Sequence, residues 1–189
     1  MKMLSKDFYE RDPALVAKDL LGKILVRKLD SEILSGKIVE TEAYYGRNDP
    51  ASRAYRGRKI FNELMFMDVG KTFICMVHAN WLLNIVAHLK DGVGAVLIRA
   101  IGPTEGIETM RKNRNVKKLR DLTNGPGKLT KALAITKELN GIDVTRRNSQ
   151  LAILEKKSES FEVCSSHRIG VKADLPQKLR FFIKRNKLI

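Results

Sequence analysis

One short stretch of this basic chain is acidic: residues 38–44 read Ile-Val-Glu-Thr-Glu-Ala-Tyr. On a β-strand, residues two apart share a face. Glu40, Glu42 and Tyr44 then line one side of the strand, and Val39, Thr41 and Ala43 the other. Two carboxylates beside an aromatic ring suit proton transfer on a flat substrate: the carboxyl group moves the proton and the ring stacks. A carboxylate beside a bound polyanion weakens binding, so it persists more readily where it does chemistry. The competing reading is an ordinary solvated strand face. Spacing alone does not choose between Glu40 and Glu42.

Two further patterns could carry chemistry. Asn124-Gly125-Pro126-Gly127-Lys128 is a small-residue turn leading into a helix with lysine in its first turn. Backbone N–H groups and the helix dipole there would attract a phosphate. The full Walker pattern is absent, so a nucleic-acid phosphate fits better than a nucleoside triphosphate, with a plain helix start as the alternative. Cys75-x-x-His78 and Cys164-x-x-His167 share a spacing and together supply a Cys₂His₂ ligand set. Residues three apart on a strand face opposite ways, which favours unrelated core and pocket residues, and no metal is expected.

The charge balance names the partner class. Among 189 residues, 36 are Lys or Arg and 21 are Asp or Glu, a formal charge of +15 with a pI near 10.0. This excess points to a polyanion, nucleic acid first and an anionic membrane surface second. A 43% apolar content excludes a disordered basic tail. The charge is clustered in three groups. They are Arg47, Arg53, Arg56, Arg58 and Lys59; the run from Arg111 to Lys131; and Lys178, Arg180, Lys184, Arg185 and Lys187. The most apolar run, Trp81 to Leu89, is broken by Asn84 and His88 and is far shorter than the ~20 residues of a membrane span. No signal peptide is read at the N-terminus, and two cysteines make no disulfide framework. The expectation is an intracellular, soluble protein of one domain over residues 1–189.

The elements that must position these residues are mostly strands. Asp12-Pro13 starts a helix that Gly22 ends. Lys23–Leu29 and Ile33–Tyr45 read as a hairpin with an irregularity at Ser35-Gly36. Residues 46–60 read as loop. Strands are expected at Thr72–Val77, Leu82–Val86, Gly94–Ile101, Leu151–Leu154, Phe161–Cys164 and Leu179–Ile183. Pro103 is expected to open a helix running to Arg114. Another starts near Pro126 and carries Leu129, Ala132, Leu133 and Ile135. The fold class is α+β: a curved, mostly antiparallel sheet with peripheral helices and a protruding β-hairpin.

The ordered set of motifs resembles the alkyladenine (3-methyladenine) DNA glycosylase family, also called methylpurine-DNA glycosylase, over about residues 8–184. The resemblance is carried by Ala17–Gly22, Gly36–Tyr44, Asp49–Ser52, Ala54–Gly57, Met65-Phe66, Val96–Ala100, Pro103–Gly106 and Glu108–Arg111. Asn124–Leu129, Arg168–Val171 and Leu179–Phe181 complete it. It implies an enzyme that flips a damaged purine, alkylated or deaminated, out of duplex DNA and hydrolyses its N-glycosidic bond with water, starting base excision repair. On this resemblance Glu42 is the general base that activates the water, and Arg99 and the Val171 carbonyl help hold that water. Tyr44 stacks on the flipped base, and Leu97 lines its pocket. Lys128, Arg111 and Arg56 are expected on the DNA, and Asn84 near the base stack. No cofactor and no membrane are implied, and a monomer is expected.

The sequence departs from the family pattern at the pocket. Arg53 stands where the family typically has a histidine that bonds the flipped base. Arginine is always charged and would repel a cationic purine; it could instead reach a phosphate or select neutral lesions. Cys75 stands where a second stacking tyrosine is usual. His78 stands where a tyrosine wedge fills the hole left by the base. Trp81, the one tryptophan, could supply that wedge or be a core residue. The alternatives to an enzyme are a non-catalytic basic nucleic-acid binding module of the same fold and an RNA-directed binder.

Overall fold

Eight antiparallel strands make one sheet, and its longest member, β2 (Glu32–Tyr44), carries the acidic stretch. The computed structural model describes residues 2–156 and 159–188. Around β2 lie β1 (Ile24–Leu29), β3 (Thr72–Val77), β4 (Asn80–Val86), β5 (Ala95–Glu105), β6 (Leu151–Leu154), β7 (Val163–Ser166) and β8 (Arg180–Ile183). The order β3-β4-β5-β2-β1-β6 gives the main path, and β8 joins β2 to β7. One edge of β2 pairs with β5. The other pairs with β1 at residues 32–37 and then with β8 at residues 40–42. The β2–β5 register shifts at Ser35/Gly36, Ile38/Glu40 and Glu40/Thr41. Such irregularities raise local twist and re-aim side chains. The expected irregularity at Ser35-Gly36 is thus present. A Cβ at Gly36 would come within 2.7 Å of the Gly102 carbonyl oxygen, which is why glycine stands there.

The alternation read from the sequence decides which way β2 faces. Val39 and Ala43 sit in the main core with no exposed surface, and the Thr41 hydroxyl donates to the Ala17 carbonyl at 2.8 Å. Ala17 belongs to α2 (Pro13–Leu20), which packs on this face through Val16, Ala17 and Leu20. Asp12 caps α2 by accepting from the N–H groups of Ala14 and Leu15, as expected from Asp12-Pro13. Glu40, Glu42 and Tyr44 take the opposite face.

Several expectations need correction. Pro103 opens no helix: β5 runs through it to Glu105, and Gly106 at φ +70 turns the chain into α3 (Ile107–Arg114). β5 pairs with β4 only as far as Leu97, so Pro103 lies where one edge of the strand is free and its missing N–H costs no ladder bond. Helix α4 (Pro126–Ala132) stops before Leu133 and Ile135, with Ala134 at φ +49 just beyond it. β4 begins at Asn80 rather than Leu82, and β7 lies two residues later than expected. A short α1 (Lys6–Tyr9) and a 3₁₀ helix over Ile60–Phe66 had no clear signal in sequence. No helix among the described residues is long and apolar enough to cross a membrane.

Candidate active site

The sheet register brings the chemical residues onto one wall. Glu42 is opposite Leu97 and Tyr44 opposite Ala95 in the β2–β5 ladder, and Asn84 is opposite Leu97 in the β4–β5 ladder. Arg99 of β5 projects to the same side. Its Nε donates to Glu40 Oε1 at 2.9 Å and its Nη1 to Glu42 Oε2 at 3.1 Å. Burial works against charge on Arg99, but Glu42 and Glu40 outweigh it and raise its pKa. Glu40 also accepts from Arg180 Nε of β8 at 2.6 Å. The solvated-face reading of the acidic stretch is therefore overturned, since Glu40 is 5% exposed and Glu42 0%. Arg180, grouped in sequence with a basic surface, is instead an internal partner of Glu40.

Glu42 accepts three hydrogen bonds. Oε2 takes the Tyr44 hydroxyl at 2.8 Å as well as Arg99, and Oε1 takes the Ile169 backbone N–H at 2.9 Å. Burial first, and then the neighbouring Glu42 carboxylate, push the Tyr44 phenol well above its ordinary range, so it stays a donor. Oε1 has one protein partner and keeps a further lone pair.

Ile169 is placed by its neighbour Arg168, whose guanidinium is fully buried. Arg168 forks onto Asp49 at 2.6 and 2.7 Å, bonds Asp174 at 2.6 and 2.9 Å and donates to the Ala43 carbonyl at 2.9 Å. Its pKa is raised because these bonds outweigh burial. For Asp174, burial pushes the pKa up, but the bonds from Arg168 outweigh it and hold the carboxyl below 3.8. The same guanidinium lies over one face of the Tyr44 ring, 4.5 Å from its centroid. Neither Arg168 nor Asp49 was assigned a role from sequence. Each sits inside a recognised motif, yet only the fold shows that they meet.

Tyr44 also borders a cavity of about 820 Å³. Of the expected site residues, Tyr44, Arg53, Cys75, His78, Asn84, Leu97, Arg99, Lys128 and Val171 all line it. Glu42 lies behind Tyr44 and Arg99 without lining it. Trp81, Arg56 and Arg111 are not brought to it: Trp81 packs against the main core, Arg56 is exposed, and Arg111 pairs with Glu108 on α3. Lys128 reaches the rim, its Nζ bonded to Asn124 Oδ1 at 2.9 Å. Burial raises the pKa of the Cys75 thiol. No three of His, Cys, Asp and Glu among the described residues close on one point as a metal set would, so the two Cys-x-x-His pairs do not combine.

A buried carboxylate held by arginine, tyrosine and a backbone N–H thus sits beside a cavity lined by Tyr44 and Phe73 in a basic protein. The family model described as methylpurine-DNA glycosylase matches residues 7–187. The chain belongs to the methylpurine-DNA glycosylase family. Three similar proteins are each named "Putative 3-methyladenine DNA glycosylase". One from Clostridium novyi is 42% identical over 202 residues, covering 100% of this chain and 98% of its own. One from Carboxydothermus hydrogenoformans is 39% identical over 188 residues, covering 99% and 98%. An archaeal one from Aeropyrum pernix is 39% identical over 190 residues, covering 100% and 93%. As a methylpurine-DNA glycosylase the protein is a DNA N-glycosylase, a hydrolase of DNA repair. Family membership favours an enzyme over a non-catalytic module of the same fold or an RNA-directed binder.

Proposed function

We propose that the protein takes a damaged purine, flipped out of duplex DNA, into the cavity bordered by Tyr44 and cleaves its N-glycosidic bond with a water activated by Glu42. The carrying observation is the convergence of Arg99, Tyr44 and the Ile169 N–H on one buried carboxylate. Three fixed donors leave Glu42 little freedom, and its remaining lone pair is available to a water. The base stacks on the face of Tyr44 away from Arg168. The C1′–N bond breaks with its electron pair leaving on the purine, water oxygen bonds C1′, and the water proton passes to Glu42. A quaternised purine leaves as a neutral base; a neutral purine leaves as an anion and takes its proton from solvent afterwards. Val171 offers its carbonyl to the same water. Lys128 and the basic residues around the rim bind the phosphates, so affinity falls steeply with salt.

Single-turnover release from duplexes carrying methylated purines, hypoxanthine or ethenoadenine tests this, with abasic sites cleaved afterwards. Wild type is expected to release base, and Glu42→Gln to lose roughly 10²–10⁴-fold in rate with binding retained. Equal rates in the two proteins would overturn the role of Glu42.

A further inference from the structure

Arg53 is the one arginine on the cavity wall with no carboxylate near it. Arg99 is held between Glu40 and Glu42, and Arg168, behind Tyr44, between Asp49 and Asp174. Among the described residues Arg53 forms no ion pair. Its Nη2 donates to the neutral Met76 carbonyl oxygen at 3.0 Å, and Cys75, on the same strand as Met76, lines the cavity with Arg53. The side chain therefore crosses from the loop after β2 to β3, while remaining exposed to solvent. Its backbone is fixed as well: the fully buried Asn62 donates from Nδ2 to the Arg53 carbonyl at 2.7 Å and to that of Gly57 at 3.0 Å. Most of the guanidinium N–H groups have no protein acceptor and are free for an occupant of the cavity.

From this we infer that Arg53 is a specificity-determining residue that shifts the enzyme's preference from cationic alkylated purines toward neutral purine lesions. The inference rests on the glycosylase reading above. A purine quaternised at ring nitrogen carries a positive charge into a site that already holds an uncompensated one. Arg53 is exposed, so the repulsion is that of charges near a protein surface, still several-fold stronger at contact than in bulk water. A neutral purine meets no such penalty. As its C1′–N bond breaks, the electron pair moves onto the base, and a guanidinium beside the base stabilises that developing negative charge. The repulsion acts on binding and the stabilisation acts on departure, so both raise the neutral-to-cationic ratio.

The experiment is single-turnover excision of hypoxanthine and of 7-methylguanine from duplexes of one sequence, with wild type, Arg53→Gln and Arg53→Lys. The quantity read is the ratio of rate over half-saturating enzyme concentration for the two lesions. Arg53→Gln should move the ratio toward 7-methylguanine by roughly tenfold or more, and Arg53→Lys, which keeps the charge, should stay within about threefold of wild type. A ratio unchanged in Arg53→Gln overturns the inference and leaves the glycosylase reading intact. An equal loss on both lesions, with the salt slope of binding reduced by about one, assigns Arg53 to a phosphate and also overturns it. No release of any base by wild type would remove both readings together.

Discussion

The guanidinium carbon of Arg168 lies 4.5 Å from the centroid of the Tyr44 ring, and Tyr44 lines the cavity whereas Arg168 does not. One side chain thereby supports the Tyr44 ring, pairs with the buried Asp49 and the partly buried Asp174 and, through the next residue, presents the Ile169 N–H to Glu42. The loop carrying Val171 and the strand carrying Glu42 are tied at a single point.

Removing that point should cost stability first. Arg168→Ala leaves Asp49, which is fully buried, facing no cation. Breaking a buried pair from one side typically costs about 3–5 kcal/mol. For a chain of this size about 2–4 °C of Tm accompanies each kcal/mol, so Tm should fall by roughly 6–20 °C. Arg168→Lys keeps a charge but cannot fork, and should fall between. Calorimetry decides it: a Tm within about 2 °C of wild type for Arg168→Ala would show that the network is not structural.

The tyrosine hydroxyl and the tyrosine ring can be separated. Tyr44→Phe keeps the ring and loses the donor to Glu42. Hydrogen bonds to charged groups are worth about 1.5–3 kcal/mol, which sets a loss of roughly 10–100-fold in the single-turnover rate at saturation. Half-saturation should move little, because the stacking face remains. Tyr44→Leu should in addition weaken lesion binding. Wild-type rates in Tyr44→Phe would mean that Arg99 and Ile169 alone orient Glu42. Because the phenol is pushed far up, its ionisation should contribute no loss of activity as pH rises toward 10.

How much of this was legible in sequence depends on the range of the interaction. The two faces of β2 follow from period-two spacing, a local property, and Glu40, Glu42 and Tyr44 do share a face. The cap at Asp12 and the irregularity at Gly36 are local as well. The Arg168–Asp49 fork joins residues 119 apart, and composition cannot distinguish such an arginine from one in solvent. Arg180 shows the same limit: a basic run near the C-terminus reads as surface until β8 pairs with β2 and turns it toward Glu40. Pro103 misleads for a related reason, since proline suits a helix start locally and only the free strand edge permits it in β5.

Acid should act through Asp174. Its folded pKa is held below the unfolded value of 3.8 by its bonds to Arg168. A group with a depressed folded pKa stabilises the fold above its unfolded pKa, and that contribution is lost as pH falls through the folded value. Wild type should therefore exceed Asp174→Asn in Tm by a constant margin from pH 7 to 5, and the margin should shrink as pH drops below about 4. Thermal unfolding at stepped pH checks this; a margin undiminished at pH 3 would assign the effect to something other than the Asp174 charge.

The hairpin joining β3 to β4 separates two candidates for the residue that fills the gap left by a flipped base. His78 and Ala79 form its tip at φ +46 and +59, a conformation that favours glycine or asparagine, and both are exposed. His78 also lines the cavity, whereas Trp81 packs against the core. Trp81→Ala should then lower Tm by several degrees, as truncating a partly buried aromatic costs about 1–3 kcal/mol. His78→Ala should leave Tm near wild type and reduce excision from duplex DNA more than from a mismatched duplex, where extruding the base is less costly. Ala79→Gly, which relieves the positive φ, should stabilise by up to about 1 kcal/mol. If Trp81→Ala instead keeps its Tm and loses excision, the tryptophan is the wedge, and the hairpin must rearrange on DNA to free it from the core.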